Sequence, residues 1–304
     1  MSNDTLFLIG GTGRLGSIVA EGLVTSQGFD KRVALVRSSS AEDKLDYLRK
    51  LGWTIKKIDD FLNPEALIAA MSGVRVVVSS MTTGADLVPV EKSIIDAAKK
   101  CGASFFVPSQ FGVDFRRWEG HFPTYESKRE VVTYAEEVGL PILCVFVGLF
   151  SDIIFPFLTN LEEMTATVVG RGSARYSFTR RRDIGFVLAK VLADPKYANG
   201  GYMSMQGDNV TWPEALSLAE EAIGKEYTKT VLRTEEALIQ EKLLLEKGIQ
   251  GDVKAYSQSF AMHVLTTPAR GSTGLDVSSD AETYGVKMEP LKITLQDVLG
   301  GGKY

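Results

Sequence analysis

Gly10, Gly13 and Gly16, with Gly11 as an extra, stand in the stretch TLFLIGGTGRLG. Glycine is costly inside regular structure, because it gives up the most backbone freedom on folding. At this spacing, after an apolar run and before a helical pattern, the glycines mark a turn that something approaches too closely for side chains. One glycine permits the tight turn, one lets the backbone approach a pyrophosphate, and one lets the helix pack on the strand. The helix N-terminus then offers free N–H groups and partial positive charge to the anion. Gly10, Gly11, Thr12, Gly13, Arg14, Leu15 and Gly16 are therefore candidate dinucleotide-binding residues.

The next apolar run ends ALVRSSS. Sites for NAD usually offer an acid here, roughly 20 residues beyond the glycines, to the ribose hydroxyls. This chain offers Arg37, whose planar, permanently charged fork suits a 2′-phosphate. The expectation is NADPH rather than NADH. Lys44 adds a second positive charge there or is a lysine on a helix surface. Asp60, after the third strand, either contacts adenine or caps the helix that begins at NPEAL. Ser79, Ser80 and Met81 close the fourth strand, at the edge where ligands lie in open α/β sheets; a plain turn role is the alternative for the serines.

Acid–base chemistry points to TYESK. Short-chain dehydrogenases carry Tyr-x-x-x-Lys on one helix face, but here Tyr125 and Lys128 are three apart. That spacing still shares a face and changes the relative pointing, so a role for Tyr125 stays open. Lys128 follows the long segment PSQFGVDFRRWEGHFPTY and begins a helix. Beside a positive nicotinamide ring and low-dielectric walls its pKa would fall toward acid–base duty. The alternative is a surface lysine paired with Glu126 or Glu130.

These residues need a scaffold, and the first 150 residues provide one. Strand-like runs (TLFLIG, RVALVR, TIKKIDD, VRVVVSSM, SFFVPS, PILCVFVGLF) alternate with helical patterns that often end in glycine. The alternation predicts right-handed βαβ crossovers in a Rossmann-type, doubly wound parallel α/β sheet. After Phe150 the rhythm weakens, and a smaller α/β substrate-binding domain is expected. Residues 1–155 form the expected NADP-binding domain, with part of its sheet completed by 174–202, and 156–304 mainly bind substrate. Phe150, Ile153, Phe155, Phe157 and Leu158 make an apolar wall, with buried core packing the alternative for about half of them; Phe150, Ile153 and Phe157 are the candidate substrate contacts. The tail from Gly274 is expected to close the second domain.

The composition narrows the setting. The 304 residues are 44% hydrophobic and 24% charged, with net charge −4, as in ordinary globular proteins. No basic excess suggests nucleic acid or an anionic membrane. No run approaches the roughly 18 apolar residues of a membrane span. Two cysteines, Cys101 and Cys144, read as reduced thiols in a cytoplasmic protein. With only His121 and His263, no zinc site is expected.

FLIGGTGRLG, ALVR, VVVSS, FFVPSQFGVD and KREVVTYAEEVGLP occur in an order that resembles the NmrA-like and isoflavone reductase-like family of atypical short-chain dehydrogenases. The resemblance is close over residues 5–155 and looser beyond, where it leans toward fungal members. It implies an NADPH-dependent reductase with Lys128 as general acid or base, Arg37 at the 2′-phosphate and Lys44 as its companion. It adds Gln110 and Phe111 to the cofactor-binding set. Family reductases often carry Glu where this chain has Gln110 and Asn where it has Val113, and the segment 115–124 departs from plant members. The implied substrate is a small aromatic or polyketide-like molecule reduced at an enone, quinone, carbonyl or benzylic carbon. The competing expectation is an NmrA-like sensor that binds dinucleotide without turnover. Helices of the second half would serve either core packing or a homodimer.

Overall fold

β1 (Thr5–Ile9) shows how the central sheet is built. Successive side chains of a strand point to opposite faces. Leu6 and Leu8 enter one apolar core, Phe7 and Ile9 another. With both faces covered, the strand has no polar side. The computed structural model describes residues 4–81, 86–118 and 121–301.

After β1 come α1 (Gly16–Leu23), β2 (Lys31–Arg37), α2 (Glu42–Lys50), β3 (Thr54–Ile58), α3 (Pro64–Ala70), β4 (Val74–Ser79), α4 (Leu87–Lys100), β5 (Phe105–Val107), α5 (Pro123–Val138) and β6 (Leu143–Phe146). The five strands β3-β2-β1-β4-β5 form one sheet in that order, and every pairing in it is parallel. The order turns at β1 and β4, so the crevice for a ligand lies at their carboxyl ends. A parallel bridge from Phe106 to Ile142 leads on toward β6. The sequence-based fold class is therefore the observed one.

The chain continues with β7 (Leu149–Phe150), α6 (Phe155–Leu158), β8 (Thr159–Asn160), β9 (Thr165–Val169), β10 (Arg175–Thr179), α7 (Arg181–Val191), β11 (Gly201–Ser204), β12 (Asp208–Thr211), α8 (Trp212–Ile223), β13 (Thr228–Leu232), α9 (Thr234–Ile249), α10 (Val253–Ala269) and α11 (Leu291–Leu299). β11 pairs in parallel with β6. Two small mixed sheets, β12-β10-β7 and β13-β9-β8, belong to the second half. They pack with α8, α9 and α10 around a third core that includes Phe155, Trp212, Leu216 and Val264.

α7 does not stay with its sequence neighbours. Ile184, Val187, Leu188 and Val191 share the core of Leu6 and Leu8, and α7 lies against α1. The helices meet at glycines: a Cβ on Gly22 would stand 2.1 Å from the Gly185 carbonyl carbon, and one on Gly185 2.5 Å from the Val19 oxygen. Met203, Met205 and Ala281 join this same core. The tail is thus shared out: α11 packs on α8, whereas Ala281 and its neighbours cover the nucleotide half.

Candidate dinucleotide and acid–base site

The glycine turn is held open by its own backbone. Gly10 has φ +77°, a region that L side chains rarely adopt, and a Cβ there would also come within 2.7 Å of the Ser80 oxygen. A Cβ on Gly16 would come within 2.1 Å of the Gly10 oxygen. The Gly13 N–H donates to the Gly10 carbonyl at 2.8 Å, closing the turn just before α1. Ser80 clamps it from β4: its N–H and its hydroxyl both donate to the Ile9 carbonyl at 2.9 Å. Arg181, at the start of α7, donates to the Arg14 carbonyl at 3.1 Å and pairs with Asp152 at 2.9 Å. Sequence reasoning missed this clamp, since nothing local links residues 14, 152 and 181.

Beside the turn opens a cavity of about 550 Å³. Gly10, Thr12 and Gly13 line one side, Arg37, Ser39, Ser40 and Lys44 another, and Ser80, Met81 and Phe61 the end. The side chains of Arg37 and Lys44 have no hydrogen-bond or ion-pair partner among the described residues. Two unspent cations, a serine pair and a bare glycine turn form a cradle for a phosphorylated anion. Arg14 is exposed, and Gly11 and Leu15 pack inward. Asp60 is not part of the cavity lining, and it does not cap α3. Its carboxylate accepts from the Leu62 N–H at 2.8 Å, while Asn63 caps the helix by accepting from the Ala66 N–H at 3.1 Å.

Ser79 faces away from this cavity. It is fully buried, and its hydroxyl donates to the carboxyl of Glu91 on α4. Ser109, after β5, donates through its hydroxyl to the Met81 carbonyl at 2.8 Å. The next residue, Gln110, donates through its amide to the Lys128 carbonyl at 2.7 Å. The rim of the cavity, the loop after β5 and the start of α5 are thereby tied in series. Phe111 sits in the core under the sheet.

Lys128 does not line the cavity; it is anchored one link away. Part of its surface is open, yet protein surrounds the ammonium group. Loss of water around the charge pulls its pKa down to about 8, against the opposing pull of Glu91. Glu91 is 1% exposed. Burial pushes its pKa up to about 7, while Ser79, the Lys128 charge and the Ser109 backbone pull it back. Glu91 went unnoticed in the sequence; the signal that could have found it is an acid inside the apolar stripe Leu87, Val90, Ile94, Ile95 of α4. Tyr125 is buried against Trp118, its ring centroid 4.6 Å away, and desolvation drives its hydroxyl well above the usual range. It is no ready proton donor.

The three candidate substrate residues are not brought together. Phe150 packs against the nucleotide-half core, and Ile153 is 41% exposed. Phe157 contacts Phe260 and lines a separate cavity of about 490 Å³ with Thr167, Gln240 and Met262. The turn at α6 fans these side chains apart, which an apolar stretch in the sequence does not reveal.

The sequence profile of the NmrA-like family matches residues 2–291. Among characterised proteins, an oxidoreductase of Aspergillus flavus, aprR, is 27% identical over 290 residues, covering 87% of this chain and 95% of its own. An isoflavone reductase homolog, P3, of Arabidopsis thaliana is 29% identical, covering 77% and 79%. The phenylcoumaran benzylic ether reductase PT1 of Pinus taeda is also 29% identical, covering 78% and 80%. Among solved structures, a leucoanthocyanidin reductase of Vitis vinifera in complex with NADPH superposes with a TM-score of 0.79 at 18% identity, covering 97% and 99% of the two chains. At that identity the likeness shows the fold.

Proposed function

The chain belongs to the NmrA-like family, and from that premise we propose that it is an NADPH-dependent reductase of a small aromatic or polyketide-like molecule. It is an oxidoreductase, as its named relatives are, and NADPH is its cofactor. The observation that carries the reading is the cavity beside the glycine turn, lined by Arg37 and Lys44, whose side chains have no partner among the described residues. The residues present fit the dinucleotide. The glycine turn receives the pyrophosphate, and Arg37, Ser39, Ser40 and Lys44 receive the 2′-phosphate. Residues 1–155, completed by 174–202, serve the cofactor, and 156–304 mainly serve the substrate.

NADPH, when bound, supplies the hydride. The chain supplies the proton. As hydride reaches an electrophilic carbon of the substrate, negative charge grows on the conjugated oxygen. Lys128, as an ammonium, gives that oxygen its proton and is left as the neutral amine. A pKa near 8 suits this task, because the proton is present at neutral pH and yet leaves readily. The reductive step therefore slows as pH rises through about 8. The aromatic or polyketide-like class rests on the compounds that relatives such as the phenylcoumaran benzylic ether reductase are named for.

Titration of the purified protein with NADPH, NADP⁺, NADH and NAD⁺, followed by tryptophan fluorescence, tests the reading. NADPH is expected to bind most tightly. Arg37→Ala is expected to weaken NADPH by roughly 10- to 100-fold, the worth of a charge-assisted hydrogen bond, and NADH much less. Equal losses for the two would overturn the 2′-phosphate assignment. A preference for oxidised dinucleotides would favour a sensor.

A further inference from the structure

Glu91 is an acid where the fold has no structural use for one. It stands in the apolar stripe of α4, among Leu87, Val90, Ile94 and Ile95, with its carboxyl out of water. Burying a carboxylate is costly unless charge and hydrogen bonds compensate. Among the described residues it has a single side-chain donor, Ser79, with the Ser109 backbone beside it.

The surrounding charges leave it one partner. On α4 itself, Lys92 is spent on Glu130 of α5, and Asp96 accepts from Tyr134. On α3, which also packs on α4, Glu65 is exposed. On β6, the Cys144 thiol is buried and pushed far up by burial, so it carries no charge. Lys128 on α5 is the cation whose field reaches Glu91. The two do not form a direct ion pair among the described residues, so the coupling acts across a gap. Consecutive residues tie the acid and the backbone of the lysine to one loop. The backbone of Ser109 supports the Glu91 carboxylate, and the amide of Gln110 holds the Lys128 carbonyl.

We propose that Glu91 is the positioning residue of the acid–base site, set beneath the cleft by Ser79 and Ser109 to keep the Lys128 side chain in its protonated form. The proposal rests on the reductase reading above. Glu91 touches neither substrate nor cofactor, and it acts only through the charge of Lys128. Removing that negative charge lets desolvation act on the lysine unopposed, so Lys128 would lose its proton at lower pH.

Competitive acetylation of the full chain with trace acetic anhydride across a pH series, read at Lys128 by mass spectrometry, gives the titration midpoint of this amine without any substrate. Glu91→Gln is expected to lower the midpoint by about one pH unit, with NADPH affinity unchanged. An unchanged or raised midpoint overturns the proposal. Should Glu91→Gln fail to fold, Ser79→Ala carries the test, since it keeps the acid and removes its donor. It is expected to lower the midpoint by a smaller step, and no step overturns the proposal. The labelling does not depend on turnover, so the two readings fail separately. Full turnover in Lys128→Ala defeats the reductase mechanism; an unmoved midpoint defeats only the role of Glu91.

Discussion

Two buried glutamates, one in each half of the molecule, have been treated in opposite ways. Glu241 on α9 accepts from His263 at 2.6 Å, from Thr266 at 2.6 Å and from the guanidinium of Arg270. Burial works against its charge, but these donors outweigh burial and hold its pKa down at about 2. Glu91 is buried more deeply, is held among the described residues by one side-chain hydroxyl and the Ser109 backbone, and sits near 7. Depth of burial and the donors gathered around it decide together what a carboxyl becomes. The satisfied acid pins α9 to α10, and the under-satisfied one stays responsive to its neighbour. The His263 ring lies against Trp118, Phe122 and Tyr125, and its Nε2 finds no partner among the described residues.

The sharpest test of the comparison is catalytic. Lys128→Ala is expected to lower turnover by about 10² to 10⁴-fold, the usual worth of a general acid, with NADPH affinity nearly unchanged. Steady-state rates and a fluorescence titration on the same preparation separate the two. Next in size is the structural partner. Glu241→Gln leaves a guanidinium and an imidazole facing an amide, and about 3 kcal/mol of stability should go with the pairing, read by urea unfolding. If Glu91→Gln cost as much, the contrast between the two sites would collapse; its expected cost is about 1 kcal/mol or less.

Acid pH gives the gentlest probe. The folded pKa of Glu241 lies below its unfolded value, so its contribution is complete above about 4.3 and is lost as pH falls toward 2. Glu91 has the opposite sign. Its folded pKa is raised, so the neutral form is the one that folding favours, and its contribution is complete below about 4.3 and shrinks as pH rises through 7. Urea midpoints of Glu241→Gln and the parent protein should therefore converge at low pH, and those of Glu91→Gln should not.

The same contrast explains what the sequence could tell. The glycine turn, Arg37 and the strands of the central sheet announce themselves through spacing within a few residues, and so did Lys128 through the segment before it. Glu91 was passed over in the sequence, although it is a charge out of place on α4, and only the fold shows that Ser79 and Lys128 lie near it. The Glu241 cluster spans two helices, and no pattern pairs residues 241 and 270 before α9 and α10 pack. The apolar wall at 150–158 read correctly as apolar. Its side chains still part company, because a strand end, a turn and the short helix α6 each aim them differently. Asp60 was weighed as a cap when Asn63, three residues on, already stood ready in front of Pro64.

The glycine contact between α1 and α7 has a consequence for the order in which the chain is made. A ribosome delivers the dinucleotide turn well before α7, and domains generally fold as they emerge. Here the face of α1 around Gly22 waits for Gly185, and the core of Leu6 and Leu8 waits for Met203 and Met205. The half that carries the turn is finished late, and during that interval the growing chain shows the Gly22 face of α1 uncovered to whatever the cell has at hand.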